Sequence, residues 1–294
     1  MKILVFGSLN IDLIFSVDHI VRPGETISSS ALERSAGGKG ANQAASLAKA
    51  GMDVYMAGKI GSDGKFLLEL LESYGVHTDH VAQYEGATGQ ALIQLDKNRQ
   101  NAIVLFSGGN ARITDDEING ALSQFGSGDI VVLQNEINRT AEVMRCAKKR
   151  GLKIYLNPSP YDEGIAKLPL NLADAFFVNE IEGAALADLP PETAFPTIRE
   201  RLVKKFPHVE IILTAGKDGA FYGFNAVREK GNIIDLPVAD TTAAGDTFTG
   251  YFIAARARDL PIQEALTIAC KAASIAVSRK GAMASIPFAE EVFD

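Results

Sequence analysis

The feature that most constrains the fold is a regular alternation between short apolar runs and segments of helical periodicity. Apolar runs at 2–6, 54–57, 130–133, 153–156, 175–178 and 210–214 read as buried parallel strands. Segments 39–50, 65–74, 115–125, 140–150, 180–186 and 197–206 read as helices between them. The pattern predicts an α/β chain: three layers, α-β-α, around a mostly parallel central sheet. Ligands of such sheets bind beyond the carboxyl ends of the strands. Asn10, Asp12, Asn135, Glu136, Asn157, Asn179 and Thr214 all fall there.

Two regions interrupt the alternation. Segments 12–17 and 25–30 look extended, joined through Arg22, Pro23 and Gly24, and 88–95 with 101–106 looks like a hairpin turning at 96–100. No helical crossover separates them, so they are expected to form a small antiparallel β-sheet set against the main body as a lid. The reading is one domain, 1–294, with lid insertions near 12–34 and 87–106.

Composition narrows the function. A formal net charge of −7 argues against a nucleic-acid surface. No apolar run approaches a membrane span, and the first residues read as a strand rather than a signal peptide. Cys146 and Cys270 have no paired spacing, and four scattered His offer no metal cluster. The expectation is a cytoplasmic protein with no nucleic-acid or membrane partner.

Two stretches carry chemistry. The first runs from Asp240 to Phe248, with small residues Ala243, Ala244 and Gly245 ahead of a helix marked by Phe248, Tyr251, Phe252 and Ala255. A helix N-terminus offers unpaired N–H groups and partial positive charge, so an anion can sit there. Asp246, at or beside the N-cap, falls within reach of it. A carboxylate beside an anion hole is what phosphoryl transfer to a hydroxyl needs, although an Asp before a helix is also a common cap. The second stretch, Ala36 to Gln43, packs Gly37, Gly38 and Gly40 ahead of an alanine-rich helix. It is neither a Walker A loop nor a GxGxxG turn, because Ala41 and Gln43 occupy the wrong places. Open backbone and the amide of Asn42 suit a polyhydroxyl ligand.

Taken together, Gly7 to Asp12, Gly37 to Ala44, Asn179 to Glu182, Thr214 to Gly219, Asp240 to Asp246, and Arg279 to Ala282 with Ser285 resemble the motifs of the ribokinase-like (phosphofructokinase-B type) carbohydrate kinases. They occur in that family's order and span residues 7–285. The resemblance implies transfer of the γ-phosphoryl group of ATP to the primary hydroxyl of D-ribose. Asp246 matches the base, and the N–H groups of Ala243, Ala244 and Gly245 match the anion hole. Asp12, Asn10, Gly37, Gly38, Asn42 and Glu136 match sugar contacts. Asn179, Thr214, Gly216, Gly219, Gly245 and Cys270 match the nucleotide side, with Cys270 at the adenine. Glu182 matches the Mg²⁺ shell, and Asp240, Thr242, Ala276, Arg279, Gly281 and Ser285 match a K⁺ site. The family also implies a homodimer through the lid sheet.

Competing readings are another pentose, deoxysugar or nucleoside as acceptor, a non-catalytic sugar-binding protein, and a dinucleotide enzyme. Few aromatics near the lid strands disfavour a nucleoside base. A non-catalytic protein should have lost the base or the glycine turn, and both are present. A dinucleotide enzyme lacks its glycine pattern after the first strand.

Overall fold

The computed structural model describes residues 1–98 and 100–293. Thirteen strands form two sheets among these residues: β1 (Ile3–Phe6), β2 (Asn10–Ser16), β3 (Ala31–Gly37), β4 (Val54–Ile60), β5 (His77–Gln83), β6 (Gly89–Leu95), β7 (Asn101–Phe106), β8 (Ile130–Gln134), β9 (Lys153–Asn157), β10 (Ala175–Val178), β11 (Glu210–Thr214), β12 (Ala220–Phe224) and β13 (Val227–Gly231). The helices are α1 (Lys39–Lys49), α2 (Lys65–Ser73), α3 (Asp115–Leu122), α4 (Thr140–Lys149), α5 (Glu180–Leu186), α6 (Phe195–Lys205), α7 (Ala244–Ala257), α8 (Ile262–Val277) and α9 (Ala289–Val292).

The large sheet has the order β13-β12-β11-β10-β9-β8-β1-β4-β5. It is parallel from β5 to β11, and β12 and β13 add an antiparallel edge. Alternate residues of each strand feed two cores. Ile3, Val5, Val54, Met56 and Phe177 pack under α1, α2, α7 and α8, whereas Leu4, Phe6, Val131, Leu133 and Phe176 pack under α3 to α6. Burial on both faces is why these strands read as continuous apolar runs.

The small sheet has the order β3-β2-β6-β7. It consists of two antiparallel pairs whose shared edge, β2 with β6, runs parallel. Segment 25–30, expected to be extended, is a loop. The strand opposite β2 is instead Ala31–Gly37, a mixed stretch with no alternation, whose pairing comes from register with β2 (Asp12 opposite Ser35, Asn10 opposite Gly37) and not from its own pattern. Within the expected turn 96–100, Arg99 lies outside the described residues. The strand β5 escaped the sequence reading because an edge strand of His, Thr, Asp and Gln carries no apolar run. The hairpin β12–β13 and helix α8 were also unforeseen.

Candidate active site

Two helices bring the chemistry together. α1 starts directly after Gly38, and α7 starts directly after the loop ending at Ala243. They pack closely because residue 250 is glycine: a methyl there would overlap Ser46 Oγ and sit 3.0 Å from the backbone nitrogen of Leu47. Ser46 Oγ also donates to the carbonyl of Thr247 at 3.1 Å. This contact carries two amides of α1 to one carboxylate of α7. Asn42 Nδ2 donates to Asp246 Oδ2 at 3.0 Å, and Gln43 Nε2 donates to Asp246 Oδ1 at 2.9 Å. Asp246 is only 7% exposed.

Asp246 is not a helix cap. The N-cap is Ala243, in the left-handed region at φ 59°, and the helix begins at Ala244, so Asp246 is the third residue of its first turn. Its carboxylate serves the amides of another helix. An alanine at positive φ is strained by about 1–3 kcal/mol, and such strain collects at functional sites. Ala244 N–H makes a long bond to the carbonyl of Thr241 (3.3 Å), while the N–H groups of Ala243 and Gly245 have no acceptor among the described residues. A side chain at Gly245 would meet nothing within 4 Å, so the start of α7 is open to a ligand with the helix dipole behind it.

A polar wall faces this point. Asp12 on β2 lies so close to Gly37 that a methyl at 37 would overlap its carboxylate, and at Gly38 (φ 93°) a methyl would stand 2.8 Å from the carbonyl of Ser8. The two glycines therefore let β3 turn into α1 directly over Asp12. Burial, with the neighbouring Glu136 carboxylate adding to it, raises the pKa of Asp12 to about 7. Glu136, also raised by burial, accepts from Ser8 Oγ and from the backbone N–H of Lys39 (3.1 Å). Asn10 is set by Asn110, whose Nδ2 donates to Asn10 Oδ1 at 2.7 Å while its own Oδ1 accepts from Leu9 N–H at 3.1 Å. A cavity of about 300 Å³ adjoins the wall, bordered by Asn10, Asn110, Glu136 and Phe106. Asn42 Oδ1 is buried without a protein partner among the described residues, an acceptor suited to a ligand hydroxyl.

On the other side, Asn179 and Glu182 form a reciprocal capping box at the start of α5: Glu182 N–H donates to Asn179 Oδ1 (2.8 Å) and Asn179 N–H to Glu182 Oε2 (3.0 Å). Thr214 ends β11, and Gly216 and Gly219 shape the turn that follows. Cys270, expected at the adenine, is 2% exposed and packs among the core residues against Gly231, so its thiol is no surface contact. Burial pushes that thiol up to about 12.

Among the described residues no cluster of three or more His, Cys, Asp or Glu could hold a metal. A divalent ion here would take its ligands largely from phosphates and water, the habit of Mg²⁺, with Glu182 as the protein carboxylate expected in its shell. The loop before α7 offers a different donor set. Asp240 Oδ1 accepts from the N–H and hydroxyl of Thr242 (2.9 and 2.7 Å), and Oδ2 accepts from Gly281 N–H (3.1 Å). Ala239 and Asp240 N–H both donate to the carbonyl of Val277. These bonds join the loop to the segment carrying Ala276, Arg279, Gly281 and Ser285. One carboxylate, a hydroxyl and backbone carbonyls fit a hard monovalent cation.

Lys39 and Gln43 are structural partners to which sequence reasoning gave no role. Burial disfavours the Lys39 ammonium, but Asp246, Glu136 and Glu182 together more than offset this and hold its pKa above the usual value. A lysine in the first turn of a helix opposes the dipole. That misplacement was the available signal that anions gather there.

The family model described as pfkB family carbohydrate kinase matches residues 1–289. The chain is 33% identical to the ribokinase of Haemophilus influenzae over 299 residues, covering 99% of this chain and 96% of that protein. It is 35% identical to the ribokinase of Bacillus subtilis, covering 99% and 98%. Its fold matches a structure of Arabidopsis thaliana ribokinase complexed with ribose and ATP with a TM-score of 0.89, at 33% identity and covering 99% and 97%.

Proposed function

The chain belongs to the pfkB family of carbohydrate kinases, and from this we propose that it is an ATP-dependent ribose kinase, converting D-ribose to ribose 5-phosphate. The observation that carries the reading is the position of Asp246: buried, gripped from α1, and one residue from the open N–H of Gly245. A primary hydroxyl resting on this carboxylate faces a phosphoryl group seated at the start of α7.

Asp246 takes the hydroxyl proton, which becomes acidic as the oxygen bonds to phosphorus. The N–H groups of Ala243 and Gly245, the dipole of α7 and the charge of Lys39 meet the negative charge of the moving group. When bound with the nucleotide, Mg²⁺ supplies charge neutralisation across the phosphates. Glu182 and Asn179 would stand on that side, and Thr214, Gly216 and Gly219 along the nucleotide. A K⁺ ion held by Asp240, Thr242, Ala276, Arg279, Gly281 and Ser285 would keep the 240–243 loop in shape without touching substrate.

Asp12, Asn10, Asn42 and Glu136 bind the sugar ring. Buried polar groups left unpaired are costly, so a wall built of two carboxylates and two amides discriminates against an acceptor lacking a hydroxyl. This favours ribose over a deoxysugar. We take 1–294 as one catalytic domain whose lid also pairs two copies: Leu32, Ile103, Val104, Leu105 and Phe106 are each more than half exposed. Two unpaired cysteines suit a reducing cytoplasm, and no helix of the described residues is long and apolar enough to cross a membrane.

An ADP-release screen over ribose, deoxyribose, other pentoses, fructose and nucleosides tests the reading. The highest kcat/KM is expected with ribose; a nucleoside or deoxyribose preferred by tenfold or more would replace the acceptor while keeping the reaction class.

A further inference from the structure

Gln43 is fully buried and makes three contacts that together fix which way its amide points. Gln134 Nε2, at the end of β8, donates to Gln43 Oε1 at 2.6 Å. That leaves the Gln43 NH₂ as the only end able to face the other two partners, and it donates to Asp246 Oδ1 (2.9 Å) and to Asn157 Oδ1 (3.2 Å). Asn157, at the end of β9, is itself held by donating to the carbonyl of Phe177 on β10 at 2.8 Å. Two amides at the ends of neighbouring strands, Gln134 of β8 and Asn157 of β9, thus reach the carboxylate through one glutamine.

We infer that Gln43 is a positioning residue for the phosphoryl-transfer step: anchored by Gln134 and Asn157, it holds the Asp246 carboxylate in the orientation that receives the hydroxyl proton. The inference rests on Asp246 being the base. Asn42 alone cannot supply this, because its contact is to the other oxygen and its amide is shared with the sugar pocket. With one oxygen tied to each amide, the carboxylate can neither rotate about its Cβ–Cγ bond nor swing toward the start of its own helix. Gln43 bonds neither the sugar wall nor the open N–H groups of Ala243 and Gly245, so its loss should act on the chemical step and spare sugar binding.

Two substitutions separate this role from a packing role. Gln43→Met keeps the volume and removes every polar contact; Gln43→Glu keeps the acceptor for Gln134 and removes the donor to Asp246. Each is made in the unchanged protein and in Asp246→Asn, and assayed with ribose and MgATP, with ribose affinity read by calorimetry. Both should lower kcat by about 10- to 100-fold, the cost of a misplaced catalytic group, with ribose affinity changed less than about threefold. In Asp246→Asn the same changes should lower the residual turnover by less than about threefold, since no carboxylate remains to be aimed. For Gln43→Glu the acid limb of the kcat profile, taken at saturating ribose so that Asp12 does not enter, should also move to higher pH, because a second carboxylate opposes ionisation of the first. Equal losses in both backgrounds, or an unmoved acid limb with unchanged kcat in Gln43→Glu, would overturn the role. If Gln43→Met fails to fold by circular dichroism, Gln43→Glu alone decides. Near-normal turnover of Asp246→Asn would remove the base assignment first, and this role with it.

Discussion

Asn42 Nδ2 lies 3.0 Å from Asp246 Oδ2, although 204 residues separate them in the chain. The helix that follows the early glycines therefore touches the residue assigned as base. Asn42, proposed to contact the sugar, and Asp246, the proposed base, are joined in one rigid unit by the close packing of α1 on α7. Several consequences can be measured.

Sugar binding should weaken in mild acid. Asp12 is raised to about 7, by burial first and by Glu136 second, so its carboxylate protonates as pH falls through that value. A protonated carboxyl loses acceptor capacity for ring hydroxyls. Ribose affinity measured by calorimetry should fall between pH 8 and pH 6, and Asp12→Asn should weaken binding and flatten the dependence. For the unliganded protein the sign is fixed by linkage. A raised folded-state pKa means the folded form binds the extra proton, so the stabilisation is complete below about 4 and is lost as pH rises through about 7. Thermal unfolding without sugar should show this contribution declining over that window.

Gly250→Ala should act at a distance. The added methyl overlaps Ser46 Oγ and presses on the backbone of Leu47, forcing α7 away from α1. Overpacking of this kind costs about 1–3 kcal/mol, and turnover should fall because Asn42 and Gln43 no longer meet Asp246 squarely. Ser46→Ala in the same chain should recover part of both losses, measured by denaturant unfolding and steady-state kinetics.

Much of this was legible from residue type and order. The parallel strands announced themselves because burial on both faces demands continuous apolar runs, and the glycines at 37 and 38 announced a close approach. Other parts were not legible, for physical reasons. β3 carries Glu33, Arg34 and Ser35 at its centre with no apolar run or alternation, and only its register against β2 makes it a strand. The depth of Cys270 was not legible either: α8 turns it into the core. Gln43 stands inside a motif that was read, but its role depends on Gln134 and Asn157, and no pattern within one segment can show a contact across 91 or 114 residues.

Replacing K⁺ by Na⁺ at constant ionic strength should lower turnover, because a smaller ion draws in the carbonyls that shape the 240–243 loop. Asp240→Ala should lower turnover further and abolish the difference between the ions. The change also releases Thr242 and Gly281, which Asp240 now ties together. An identical rate in both salts would remove the cation from the account.

The apolar strand β7 should control assembly. Val104 is 64% exposed and Phe106 52%, and leaving such a strand in water invites pairing. Light scattering should report a dimer, and Val104→Asp with Phe106→Ser should give a monomer with weaker ribose binding. A monomeric unchanged protein would contradict the dimer.

The central claim is that Asp246 is the base of phosphoryl transfer, and Asp246→Asn tests it most directly, with turnover and ribose affinity measured on the same preparation. Loss of a positioned general base predicts a fall in kcat of about 10²- to 10⁴-fold, with ribose still bound at near-normal affinity. Near-normal turnover would contradict the account.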